Sequence, residues 1–218
     1  SNRSILFDLK GKPVFSSQKE FTQYFPKDGW VEHDPEEIWK TTITTLKDVI
    51  KKANKLKGEV LTIGITNQRE TTILWDKETG KTIYKAIVWQ DRRTEDYCRK
   101  LRKQNKDTII FNKTGLLIDP YFSGTKIKWI LDNIPKAKKL MTKNQLLFGT
   151  IDSFLIWRLT KGKVHATDAT NASRTMIYNI TSNKWDDNIL KLLKIDKNIL
   201  PEVKNCADDY GQTHPSIT

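Results

Sequence analysis

The spacing of hydrophobic positions changes along the chain, and each change marks an element. Ile5-Leu-Phe-Asp8 and a second run near 14–21 read as strands, with Gly11-Lys12 turning between them. Asp34-Pro35-Glu36-Glu37 is a helix start, with a capping carboxylate, proline at the first helical position and acids in the first turn. Apolar residues then recur at Ile38, Trp39, Ile43, Leu46, Val49, Ile50, Ala53 and Leu56, one face of a helix that Lys57-Gly58 closes. A continuous apolar run at 60–65, rich in β-branched residues, predicts a buried strand around which a sheet is organised. A second hairpin follows over 71–75 and 82–89, with Gly80 in its turn.

Further on, helical patterns occupy 94–104, the stretch begun by Ser123 (Ile127, Ile130, Leu131, Ile134), 151–159 capped by Thr150, and 185–193. Strands are predicted at 146–148 and 174–180, a turn at Lys161-Gly162, and a loop over 112–122 broken by Asp119-Pro120. Strands alternating with helices make this an α/β chain, with no internal repeat or low-complexity segment.

Composition narrows the possibilities. The 218 residues, 37% hydrophobic with seven Trp, suit one domain with a real core. There is no apolar run of about 18 residues and no charged-then-apolar leader, so a soluble, cytoplasmic protein with no membrane partner is expected. Cys98 and Cys206 match no zinc or redox spacing and are expected as thiols. The net charge of +12 raises a nucleic-acid reading. The cations, however, fall at Lys51-Lys52, Lys55, Lys57, Arg99-Lys100, Arg102-Lys103 and Lys138-Lys139, mostly at helix ends, where the macrodipole favours them. No nucleic-acid partner is expected.

Directly after the run at 60–65 come Thr66, Asn67, Gln68, Arg69 and Glu70. Ligands of open α/β sheets sit beyond the carboxyl ends of strands. A neighbouring guanidinium and carboxylate there offer a forked donor and a two-oxygen acceptor for adjacent hydroxyls of a small polyol. Read with Gly29-Trp-Val-Glu-His-Asp-Pro35, Ile87-Val-Trp-Gln-Asp-Arg-Arg93, Ile118-Asp-Pro-Tyr-Phe-Ser-Gly-Thr-Lys126, Phe148-Gly-Thr-Ile-Asp152 and Thr170-Asn-Ala-Ser-Arg-Thr175, this motif closely resembles the glycerol kinases of the FGGY carbohydrate kinase family. The resemblance runs from Ser1 to about Thr213.

The resemblance implies a mixed sheet with flanking helices, of the ribonuclease H-like or actin-like ATPase type. It also implies transfer of the ATP γ-phosphate to glycerol, with ATP and Mg2+ as cofactors. Carried over residue by residue, Arg69 and Glu70 match the pair that hydrogen-bonds glycerol, Tyr121 adds a phenol, and Trp89 packs on the carbon side. Ser1 and Arg3 match the tail of the phosphate loop. His33, Asp34 and Asp152 are expected to be structural, and Ser173 and Arg174 have no derivable task beyond packing.

The family's Asp-Gln-Gly-Thr-Thr-like phosphate loop and first strand would fall before Ser1, and its Gly-Asp-Gln base and second domain beyond Thr218. The chain is therefore expected to span the N-terminal, glycerol-binding domain, truncated at both ends, and to be inactive alone. An open sheet edge or gap is expected, with a homo-oligomer or a complementing C-terminal polypeptide as partner. The alternatives are a kinase of another polyol or sugar and a catalytically dead polyol-binding module.

Overall fold

The computed structural model describes residues 1–217. Strands β1 (Asn2–Phe7) and β2 (Pro13–Lys19) form the first antiparallel hairpin. Its turn is held by the Asp8 carboxylate, which accepts from the Lys10 and Lys12 amides, each at 2.9 Å. Short strands β3 (Gln23–Tyr24) and β4 (Glu32–His33) lead into helix α1 (Pro35–Lys55). Its cap is the expected one, Asp34 accepting from Glu36 N at 2.9 Å, and its buried face includes Ile38, Leu46, Val49 and Ala53.

Next come β5 (Ile73–Asp76), β6 (Ala86–Ile87), α2 (Glu95–Lys103), α3 (Asp107–Thr114), α4 (Ser123–Asn133), α5 (Pro135–Thr142), β7 (Leu146–Gly149) and α6 (Ile151–Leu159). The rest is β8 (Ala166–Asp168), α7 (Ala169–Ala172), β9 (Tyr178–Asn179), β10 (Lys184–Trp185), α8 (Asp187–Leu193) and β11 (Glu202–Lys204). Strand β4 lies between β3 and β6, β5 pairs antiparallel with β7, and β8 runs parallel to β11.

Two apolar clusters hold these layers together. The larger one gathers Leu74, Ile87, Leu101, Ile127, Phe148 and Leu193 between the strands and helices α2 to α5, α7 and α8. The smaller one is aromatic: Trp75 packs edge-on against Phe154 at 5.5 Å and tilted against Trp157 at 5.9 Å, joining β5 to α6.

Three expectations need correction. Residues 60–65 join no ladder among the described residues, and Leu61 is 71% exposed. An apolar run supplies side chains for a strand, but a strand also needs a neighbour for its amides and carbonyls. The neighbour is missing because a cleft of about 920 Å³ separates this run from β1. Ile5, Phe7, Leu46, Val49, Leu61 and Leu155 are among its walls.

The strand predicted over 174–180 contracts to β9, because residues 174–177 form a turn and bends in which Met176 sits at φ +65°. Ser123 is not the cap of α4: Phe122 holds that position without a side-chain bond, and the Ser123 hydroxyl is spent elsewhere. The second hairpin is present: around the Gly80 turn Ile83 N donates to Leu74 O at 2.9 Å, and Thr72 and Ile87 exchange both backbone bonds at 2.9 and 3.0 Å, while β6 also pairs with β4.

Candidate polyol-binding site

The residues after 60–65 do not continue as a strand. Thr71 N–H donates to Arg69 O at 2.8 Å, closing a three-residue turn centred on Glu70, whose φ is +63°. This is the strained hand of the γ-turn, rare for a residue with a side chain. Its surroundings hold it. The Glu70 carbonyl accepts from Ser123 Oγ at 3.1 Å, Lys126 Nζ at 3.2 Å and Thr72 Oγ1 at 3.2 Å.

Glu70 is buried at 2% exposure, and its Oε1 accepts from Arg174 Nε at 2.9 Å. The Arg174 guanidinium also lies over the Phe122 ring at 5.0 Å and the Tyr121 ring at 5.8 Å. Tyr121 in turn packs against Trp89, with ring centroids 5.5 Å apart and planes at 60°. Trp89 is 37% exposed, and Arg69 is exposed. Glu70, Tyr121 and Trp89 are therefore brought together through Arg174, with Arg69 adjoining in the turn. Sequence reasoning missed Arg174. Its partner lies 104 positions away, and membership of the Thr170–Thr175 motif was the one available signal.

The loop carrying Trp89 rests on a buried ionic frame. The Arg93 side chain, fully buried, donates to Asp91 Oδ2 at 2.8 Å and Glu32 Oε1 at 2.7 Å. Its guanidinium lies 3.7 Å from the Trp30 ring and 4.7 Å from that of Trp129. The Arg92 guanidinium pairs with Asp119 at 2.9 Å, tying the Trp89 turn to the loop that presents Tyr121.

Asp34 caps α1 and pairs with Lys85. His33 is buried, contacts Gln68 Nε2 through Nδ1 at 3.0 Å, and is pushed down to about 4, mainly by burial. Asp152 lies in the first turn of α6 yet does more than meet the dipole. It accepts from Asn67 Nδ2 at 3.1 Å, from Thr167 Oγ1 at 2.7 Å and from the Thr150 hydroxyl, anchoring the polar segment before Arg69. Burial raises its carboxyl above the usual range.

Ser1 and Arg3 are placed elsewhere. On the first hairpin, Arg3 Nε donates to Gln18 Oε1 at 2.8 Å and Ser1 Oγ accepts from Gln18 Nε2 at 3.2 Å. Nothing among the described residues joins them to Glu70 or Tyr121.

The N-terminal domain of the FGGY family of carbohydrate kinases matches this chain over residues 1–218. Glycerol kinase from Rhizobium meliloti is 56% identical over 217 residues, and that from Malacoplasma penetrans 59% identical over 215. They are covered over 44% and 42% of their length, so the chain spans less than half of the relatives it matches. Among solved structures, Plasmodium falciparum glycerol kinase with ADP superimposes with a TM-score of 0.92 at 36% identity, over 98% of this chain and 43% of that one. A xylulose kinase from Rhodospirillum rubrum, at 18% identity, shares the fold with a TM-score of 0.87. The mixed α/β architecture with open sheets and flanking helices is thus the carbohydrate-kinase one, and the chain belongs to the FGGY family, whose N-terminal domain it matches along its whole length.

Proposed function

We infer that the chain supplies the alcohol-binding half of an ATP-dependent glycerol kinase. Glu70 and Arg69 hydrogen-bond the hydroxyls of glycerol, Tyr121 adds its phenol, and Trp89 forms the wall for the carbon side. One observation carries the reading: a strained turn buries Glu70 against Arg174 beside the Tyr121–Trp89 ring pair. That juxtaposition gives an apolar wall and a few fixed polar groups, the make-up of a small-ligand site. With Oε1 held by Arg174, the Glu70 carboxylate has its other oxygen to offer, and a bond to a charged partner contributes about 1.5–3 kcal/mol.

In the whole enzyme a glycerol hydroxyl would attack the γ-phosphate of ATP. Among the described residues no three His, Cys, Asp or Glu side chains gather to hold a cation, and the Mg2+ is proposed to arrive on the phosphates of ATP. Ser1 and Arg3 remain proposed phosphate-loop residues, although Arg3 would first have to release Gln18. A further strand, entering the cleft beside β1 from the same or another polypeptide, would pair the open edges and bring nucleotide-binding groups with it. The same open edges make self-association of the isolated chain the expected state. Among the described residues no helix is long and apolar enough to cross a membrane, and a cytoplasmic place is proposed.

Calorimetric titration of the 218-residue chain with glycerol, xylulose and gluconate tests the reading, alongside a kinase assay. The expected result is glycerol uptake in preference to the sugars, lost in Glu70→Gln and Trp89→Ala, without turnover. Preferential uptake of a sugar, or binding unaffected by either substitution, would sink it.

A further inference from the structure

The mechanism outlined above leaves one buried charge without a task. Lys126, in the first turn of α4, is fully buried, and its Nζ donates to Tyr121 O at 2.6 Å and Glu70 O at 3.2 Å. We propose that Lys126 is a positioning residue for the polyol site, its amine clamping the γ-turn of Glu70 to the loop of Tyr121 so that both side chains face one ligand. The inference rests on the reading of Glu70 and Tyr121 as polyol-binding groups.

A merely structural explanation would have lysine satisfy orphaned carbonyls. The Glu70 carbonyl does not require it, because Ser123 Oγ and Thr72 Oγ1 already occupy a group with two lone pairs. Burying an ammonium there is also unfavourable compared with a well-packed apolar side chain. What the lysine alone adds is the second arm, to Tyr121. The strained φ of Glu70 supplies an independent reason for a clamp, since such a backbone persists only where neighbours over-determine it.

The charged groups around the amine are Glu70 in the turn, Asp91 and Arg93 in the segment after β6, and Asp119 in the loop before α4. Burial outweighs the three carboxylates and pushes Lys126 down to about 7. The clamp is therefore strongest below neutrality, where three charge-assisted donors are present, and loosens as pH rises through that value.

The test is glycerol calorimetry on the 218-residue chain and on Lys126→Met, with thermal unfolding of each. The expected result is roughly tenfold weaker binding by the variant at a retained or raised unfolding midpoint. In the wild type, affinity should weaken severalfold between about pH 6 and about pH 8.5, with a flat profile in the variant. Unchanged affinity in a folded K126M chain overturns the clamp while leaving the polyol site standing. A wild type that takes up no glycerol overturns both. Should K126M fail to fold, K126Q, which removes the amine but keeps a polar head, takes its place: weaker binding by the folded variant supports the clamp, and unchanged affinity overturns it.

Discussion

Replacing Arg174 with methionine is the sharpest probe of how the candidate site is held. Methionine keeps much of the stem and its contact with the Phe122 and Tyr121 rings but removes the donor that lies 2.9 Å from Glu70 Oε1. Breaking a fully buried ion pair from one side costs about 3–5 kcal/mol, because the remaining charge is left uncompensated. Glu70 meets that condition at 2% side-chain exposure, but Arg174 is 31% exposed, so water reaches part of the pair. Discounting for that screening leaves about 2 kcal/mol for R174M. Removing the charge on both sides should cost less, so R174M/E70Q is expected to be at least about 1 kcal/mol more stable than the sum of the single changes. Urea unfolding of the four proteins, accepted only where the slope with denaturant is shared, measures this coupling. Additivity within about 0.5 kcal/mol would show that the two groups do not depend on each other. The account of the site built around Arg174 would then be wrong.

Further changes test the frame around it. Arg93→Met strands the Asp91 and Glu32 carboxylates in the interior and is expected to lower stability by about 3–5 kcal/mol, read as a fall in the urea midpoint. Gly149→Ala would place a Cβ 2.6 Å from Ser153 Cβ and 2.9 Å from the Trp75 ring, so overpacking of about 1–3 kcal/mol is expected in the same assay. His33 and His165 are both pushed down to about 4, chiefly by burial. Below about pH 6.5 the unfolded chain takes up protons that the native imidazoles refuse, so stability falls as pH drops toward 4, by at most about 3 kcal/mol per histidine. A pH series of unfolding midpoints should show that loss diminished in His165→Asn, and an identical acid limb in the variant would exclude the assignment.

Local signals located the helices well. The Asp34 cap, proline at the first position and closing Lys57-Gly58 define α1, and residues 151–159 are helical as their pattern predicts. Strands were harder, since a ladder depends on a partner that the strand's own residues do not specify. The run at 60–65 has the composition of a central strand and stays unpaired, while β6, only two residues long, finds β4. Helices α3 and α5 were overlooked: Asp107–Thr114 has little apolar periodicity, and neither helix has a side-chain cap. Lys126 was legible and passed over: four residues before Ile130, it lies on the buried stripe of α4, where a lysine needs a reason.

The adjacency of Arg69 and Glu70 was easy to see, but the geometry that would make it useful was not. In an extended strand successive side chains point to opposite faces, so neighbouring residues cannot both address one small ligand. A chain that continued 60–65 in extended form would divide the pair. The γ-turn at Glu70 breaks that alternation at the point where the two residues meet. Such a turn is unfavourable for glutamate by itself, by about 1–3 kcal/mol, and it rests on donors from Thr72, two residues on, and from Ser123 and Lys126 of α4, an element remote from the motif. For this pair to bind a polyol, recognition must therefore depend on Thr72, Ser123 and Lys126 as much as on the two residues that would touch the ligand.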